Sequence, residues 1–159
     1  MEHSELVRLA AEWLQRRGCC VVITEMAAGN EQADAIGWLS NGESIMVECK
    51  ASLADFEQDA KKPFRRRPKL GIGRKRLFCA PAGLISPKRL PKRWGLLEAK
   101  GNKVGCKVHA KGFSSYSRRQ ELVLLLSALR RIGQSAPQGI SVRSYVFPTR
   151  NRATLGTAQ

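Results

Sequence analysis

The chain has 159 residues, with 28 lysines and arginines against 13 acids and a formal net charge of +15. That length suffices for one domain with its own core, and the charge predicts a polyanionic partner, nucleic acid before an acidic membrane surface. No stretch approaches the ~18 consecutive apolar residues of a membrane span, and the polar, acidic start Met1-Glu2-His3-Ser4-Glu5 is unlike a secretory signal, so a cytoplasmic protein is expected.

Ser4 can cap a first helix running to about Arg17 and closed by Gly18, with Leu6, Ala10, Trp13 and Leu14 as its apolar stripe. Glu5 then lies in the first turn, where an acid complements the helix dipole. Cys19 to Met26 is a continuous apolar and β-branched run, the pattern of a strand buried on both faces. Its two adjacent cysteines belong to an odd set of five without a C-x-x-C, and His3 and His109 are the only histidines. Reduced, buried thiols are therefore expected, and a structural zinc site is not. Ala27 to Gln32 reads as a loop marked by Gly29-Asn30.

Glu31 to Lys50 reads as a hairpin turning at Asn41-Gly42. Side chains alternate along a strand, so Glu48 and Lys50 share one face while Val47 and Cys49 take the other. Two loops are open to this hairpin. A two-residue Asn41-Gly42 loop sets Asp34 opposite Cys49, on the wrong face. A three-residue Ser40-Asn41-Gly42 loop, with Gly42 left-handed in a bulge, pairs Leu39 with Glu43 and sets Asp34 opposite Glu48. The second is preferred because it gives the acids a shared purpose.

Ser52 with Asp55 resembles a capping box opening a helix through Phe56 to about Lys62, where Pro63 stops or kinks it. From Lys61 to Arg76, nine of sixteen residues are basic: Lys61, Lys62, Arg65, Arg66, Arg67, Lys69, Arg74, Lys75 and Arg76. So dense a run repels itself and is expected to contact the phosphates of DNA. Arg76 to Ala80 is a fourth strand, Ser86-Pro87 starts a short turn, and Trp94–Ala99 with Lys103–Ala110 forms a hairpin around Gly101-Asn102. Ser117 caps a last helix to about Ile132, whose Leu122, Val123, Leu124, Leu125, Leu126 and Leu129 are wide enough to cover the sheet and meet a partner subunit in a homodimer. Residues 1–133 are thus one expected domain. Residues 134–159 form a basic tail, with one edge strand at 140–147.

The order helix, three strands, helix, strand carries acids on its second and third strands. Asp34, followed after thirteen residues by Glu48-Cys49-Lys50, resembles the motif of the PD-(D/E)xK nuclease superfamily, with Ala33 where a proline usually precedes the aspartate. The resemblance covers about residues 1–110. It implies an α/β fold: a mixed central sheet with an αβββαβ restriction-endonuclease-like core and flanking helices, to which this chain adds a C-terminal helix. It further implies that Asp34, Glu48 and the backbone carbonyl of Cys49 bind Mg²⁺, with Mn²⁺ as a substitute. Lys50 would orient or deprotonate the attacking water. Glu5 would be the additional acid of the first helix, with Glu12 in reserve, and Asp59, Lys61 and Lys62 are available as further polar groups after the E-x-K strand.

Mg²⁺ keeps several waters, so two carboxylates and a carbonyl are a sufficient protein share. The expected activity is metal-dependent hydrolysis of DNA phosphodiesters by an endonuclease that recognises DNA structure more than sequence. The alternative is a catalytically silent nucleic-acid-binding protein of the same fold, acting in repair or regulation.

Overall fold

The computed structural model describes residues 1–28, 31–132 and 142–144. The fold is α/β. Helix α1 (His3–Arg16) precedes strands β1 (Val21–Ala28), β2 (Glu31–Trp38) and β3 (Ser44–Cys49). Helices α2 (Leu53–Asp59) and α3 (Pro63–Arg66) lead into β4 (Lys75–Pro81), followed by β5 (Gly95–Lys100), β6 (Lys103–Val108), helix α4 (Arg118–Ile132) and a short β7 (Val142–Ser144). The strands form one mixed sheet in the order β6-β5-β4-β3-β2-β1-β7. β3 and β4 are parallel, as are β4 and β5, and the remaining neighbours are antiparallel.

Two apolar layers hold helices to opposite faces of this sheet. Leu6, Leu9, Ala10 and Leu14 of α1 pack on Ala35, Val47, Cys79 and Leu97. Across the sheet, Phe56 of α2 and Leu124 and Ala128 of α4 pack on Ile36, Met46, Phe78 and Leu96. The central strands β3 and β4 are buried on both faces. Glu121 ties α4 to the sheet: its buried carboxylate accepts hydrogen bonds from Ser44 Oγ (2.7 Å), the Gly73 amide (2.7 Å) and Trp38 Nε1 (3.3 Å).

The β2–β3 register is that of the three-residue loop. Ala35 pairs with Val47 and Trp38 with Ser44. The Leu39 amide donates to Glu43 O at 2.9 Å, and Gly42 is left-handed at φ +80°. Continued by one residue, the same register puts Asp34 across from Glu48.

Several sequence expectations need adjustment. α1 begins one residue before Ser4, with Glu2 at its N-cap and no side-chain cap, while Gly18 closes it at φ +90° as expected. Pro63 does more than end α2. Its fixed φ and missing amide suit the first turn of α3, which it opens. Ser52 caps α2 by accepting from the Asp55 amide at 3.2 Å. Of the expected edge strand at 140–147, residues 142–144 pair antiparallel to β1; the rest, and the tail from 145, lie outside the described residues. Among the described residues, no helix is long and apolar enough to cross a membrane. On α4, Leu122, Val123, Leu126 and Leu129 remain exposed. Arg118 and Arg119 flank that row at one end, and Arg130 and Arg131 at the other, so two copies of it would oppose like charges in either orientation.

Candidate active site

A cleft of about 580 Å³ opens at the end of β3, lined among others by His3, Asp34, Glu48, Lys50, Asp59 and Lys62. Strand alternation puts Glu48 and Lys50 on the α2 side, and the three-residue loop brings Asp34 to the same side. Asp34 Oδ2 accepts from the Cys49 amide at 2.7 Å, and its Oδ1 lies 3.4 Å from His3 Nε2. The Cys49 side chain points the other way, into the α1 layer.

Glu48 is 1% exposed and Asp59, at the end of α2, is also 1% exposed. Buried carboxylates are tolerated only when compensated, and three cations compensate these two. Lys50 Nζ sits 3.3 Å from Glu48 Oε2 and 3.1 Å from Asp59 Oδ1. Lys62 Nζ lies 3.0 Å from the same Asp59 oxygen and 3.6 Å from Glu48 Oε2. Arg65 grips both oxygens of Asp59 through Nε and Nη2 and places Nη2 3.2 Å from Glu48 Oε1. Its guanidinium also lies 4.4 Å over the Trp94 ring, which stacks on Phe78.

The electrostatics separate the acids. Burial pushes the Asp34 carboxyl up, and the neighbouring Glu48 charge adds to this; the Cys49 hydrogen bond, His3 and Lys50 oppose the shift without cancelling it. Burial also works against an ionised Asp59, but the hydrogen bonds and charge of Arg65, with Lys50 and Lys62, outweigh it and hold that carboxyl well below the usual carboxylate range. For Lys50, desolvation favours the neutral amine, yet Glu48 and Asp59 prevail and raise its pKa above the ordinary lysine value. Lys50 is therefore a charged donor at neutral pH.

The donor set suits a hard divalent cation. Asp34 is pushed toward protonation by burial and then by the Glu48 charge, and Glu48 Oε1 is buried with no hydrogen bond among the described residues despite the proximity of Arg65. A dication beside both would relieve each. Asp34, Glu48, Asp55 and Asp59 exceed Lys50, Lys62 and Arg65 by one formal charge, so a bound dication would leave the cleft net positive by one and suited to a phosphodiester. Among the described residues there is no cluster of three metal-ligating side chains. Mg²⁺ does not require one, since backbone oxygen and water complete its shell.

Other expected site residues are placed elsewhere. Glu5 does not line this cleft; His3 does. At 3.6 residues per turn, two positions along a helix are about 200° apart, so the two cannot face the same strands. Glu12 is engaged on the exposed flank by Arg8 Nη1 at 2.6 Å. The run from Lys61 to Arg76 is not one phosphate path. Lys62 and Arg65 serve the acids, and the Arg65 side chain is only 3% exposed. Arg76 is fully buried; it donates to the carbonyls of Gly73, Pro68 and Gly71 and lies 4.6 Å from the Phe113 ring. Neither arginine is available to a phosphate, which corrects the expectation that both contact DNA. Arg74 and Lys75 pair with Glu43 at 3.4 and 2.9 Å. Lys75 is in register with Ile45 and Phe78 with Glu48, so this pair sits three residues, about 10 Å, from the acids. Lys61, Arg66, Arg67 and Lys69 are exposed.

No family model and no curated protein matches this chain. Among solved structures it is similar to a protein of unknown function from Silicibacter pomeroyi, at a TM-score of 0.65 and 22% identity, covering 87% of this chain and 97% of that one. At that identity the likeness speaks for the fold alone.

Proposed function

We propose that this protein is a Mg²⁺-dependent DNA nuclease of the PD-(D/E)xK type, with Mn²⁺ as a substitute metal and a restriction-endonuclease-like αβββαβ core. The observation that carries the reading is the β2–β3 register: it turns Asp34 to the side of Glu48 and Lys50 and fixes it there through the Cys49 amide. Asp34, Glu48 and the Cys49 carbonyl hold the cation. When bound, Mg²⁺ polarises the scissile phosphate and acidifies a water. Lys50, kept charged by Glu48 and Asp59, donates a hydrogen bond to the attacking water or a phosphate oxygen; it is not the base. Hydrolysis adds water across one P–O bond, leaving a phosphate monoester and a free hydroxyl. The exposed cations Lys61, Arg66, Arg67 and Lys69 suit phosphates, and the recognition proposed is of DNA shape and backbone.

The second reading, a DNA-binding protein without turnover, draws on a specific observation. Lys50, Lys62 and Arg65 already satisfy much of Glu48 and Asp59 without any metal. Incubating linear, branched and single-stranded DNA with the protein, with and without Mg²⁺ or Mn²⁺, separates the two. The nuclease reading expects metal-dependent cutting by the wild type, lost in Glu48→Gln and Lys50→Ala. Binding without cutting under every metal condition overturns it, and cutting by both variants overturns the site assignment.

A further inference from the structure

A second cleft, of about 430 Å³, lies beyond α3 and is lined by Arg66, Arg67, Lys69, Arg93, Ser114 and Ser115, with Phe113 at its base. The short basic segment that serves the acid cleft also builds this one. Lys62 and Arg65, three residues apart, turn to Glu48 and Asp59. Arg66 and Lys69, also three apart, line the second cleft together with Arg67. One turn of chain thus separates a charge-compensated set from a set of opposite character. Among the described residues, none of Arg66, Arg67, Lys69 and Arg93 has a carboxylate within ion-pair distance, whereas Arg8, Arg74, Lys75, Arg89 and Lys107 each do.

The cleft is also built at its far wall. Among the described residues, Arg93 is one of two non-glycine residues with positive φ, at +74°, a conformation that L-residues adopt at a cost of about 1–2 kcal/mol. Both its backbone and side chain are fixed there. The Lys111 amide donates to Arg93 O at 2.9 Å, and Arg93 Nε and Nη2 both donate to Gly112 O, at 3.0 and 2.5 Å, which leaves Nη1 outward. A guanidinium held in this way keeps its remaining donors for a ligand. Phe113 is only 8% exposed, with the Arg76 guanidinium 4.6 Å from its ring centroid, so it offers no open face on which a base could stack.

We propose that this cleft seats backbone phosphates of duplex DNA outside the cutting site, without reading bases. The ligand follows from the chemistry: four cations free of acids and two exposed serine hydroxyls converge on a cleft without a stacking platform. The identity of the polyanion rests on the proposed function, whereas the phosphate seat itself does not require turnover. The segment that lines this cleft directly follows Lys62 and Arg65, which serve the acid cleft.

The test is binding of a fluorescent 30-base-pair duplex in EDTA over a series of salt concentrations. It compares wild type, the triple variant Arg66→Ala/Arg67→Ala/Lys69→Ala, Arg93→Gly (which tolerates the positive φ), and the control Lys100→Ala/Lys103→Ala at the exposed β5–β6 turn. Each lost phosphate contact lowers the log–log salt slope by about 0.9 and weakens binding roughly 8-fold at 0.1 M salt. The triple variant is expected to bind at least about 60-fold more weakly at 0.1 M salt with a slope shallower by about 2 or more, Arg93→Gly to lose about one contact, and the control to change little. Wild-type affinity and slope in the triple variant, or an equal loss in the control, overturns the proposal. Because binding is read without metal, a wild type that binds through this cleft but never cuts defeats the nuclease reading alone. An enzyme that cuts while the triple variant binds normally defeats the cleft alone.

Discussion

Replacing Arg65 with alanine tests how the basic run divides, because Arg65 and Arg66 are neighbours in sequence with opposite placements. Arg65 is buried, bidentate on Asp59, close to Glu48 and stacked over Trp94 at 4.4 Å. Removing one partner of a buried pair costs about 3 kcal/mol or somewhat more, and a desolvated cation–π contact adds about 1 kcal/mol. The expected loss for Arg65→Ala is therefore about 4 kcal/mol. With a urea m-value of about 2 kcal/mol/M, the unfolding midpoint falls by roughly 2 M. Lysine cannot reproduce the bidentate geometry, so Arg65→Lys recovers only part of this. Arg66→Ala, on an exposed side chain, stays within about 0.5 kcal/mol of wild type. Urea denaturation followed by far-UV circular dichroism reads all three. A loss below about 1 kcal/mol for Arg65→Ala, or an equal loss for Arg66→Ala, would refute the reasoning.

The two carboxylates with displaced pKa values give opposite signs in the same assay. Asp59, held low, contributes stability that is present above its unfolded pKa and lost as pH falls toward the folded value. Asp59→Asn is therefore less stable than wild type at pH 7, and the gap closes in acid. Asp34, held high, contributes the reverse: its ionisation above the folded pKa works against the fold. Metal-free Asp34→Asn, which can still accept from the Cys49 amide, is expected to unfold at higher urea than wild type at pH 7, and that advantage disappears in acid. Glycines separate by space. A Cβ at Gly73 would lie 2.5 Å from Met46 Cβ at φ +84°, so Gly73→Ala is expected to lose about 3 kcal/mol. Gly83, at φ +80° with nothing within 4 Å, loses about 1 kcal/mol from conformation alone; thermal melts compare the two.

The parts of the fold governed by local chemistry were legible in the sequence. Asn41-Gly42 marked the hairpin turn and the alternation around it fixed which face Glu48 and Lys50 share, whereas the loop length was open in the sequence and the three-residue form was preferred for the acids' shared purpose. Ser117 and Ser52 marked helix starts, and each accepts a hydrogen bond from the backbone amide three residues on. Charge placement was not legible. Nothing local distinguishes Arg65, buried against Asp59 and Trp94, from exposed Arg66, because the distinction arises where α3 meets the end of α2, Glu48 of β3 and Trp94 just before β5. Arg76 read as the end of a basic run and is instead a buried clamp on three carbonyls. His3 took the place expected for Glu5: the two lie two positions apart on α1, about 200° around the helix, so only one of them can face the cleft. The role of Glu121 had no signal beyond an acid among leucines, where burial demands partners.

The central claim is that Asp34 and Glu48 hold one divalent cation beside Lys50. Crystals grown with Mn²⁺ and measured at its absorption edge test this directly. The account expects one strong anomalous peak within bonding distance of carboxylate oxygens of both Asp34 and Glu48, absent in Glu48→Gln crystals. A wild-type protein that cuts DNA with Mn²⁺ while its anomalous peak lies away from these two side chains would contradict it.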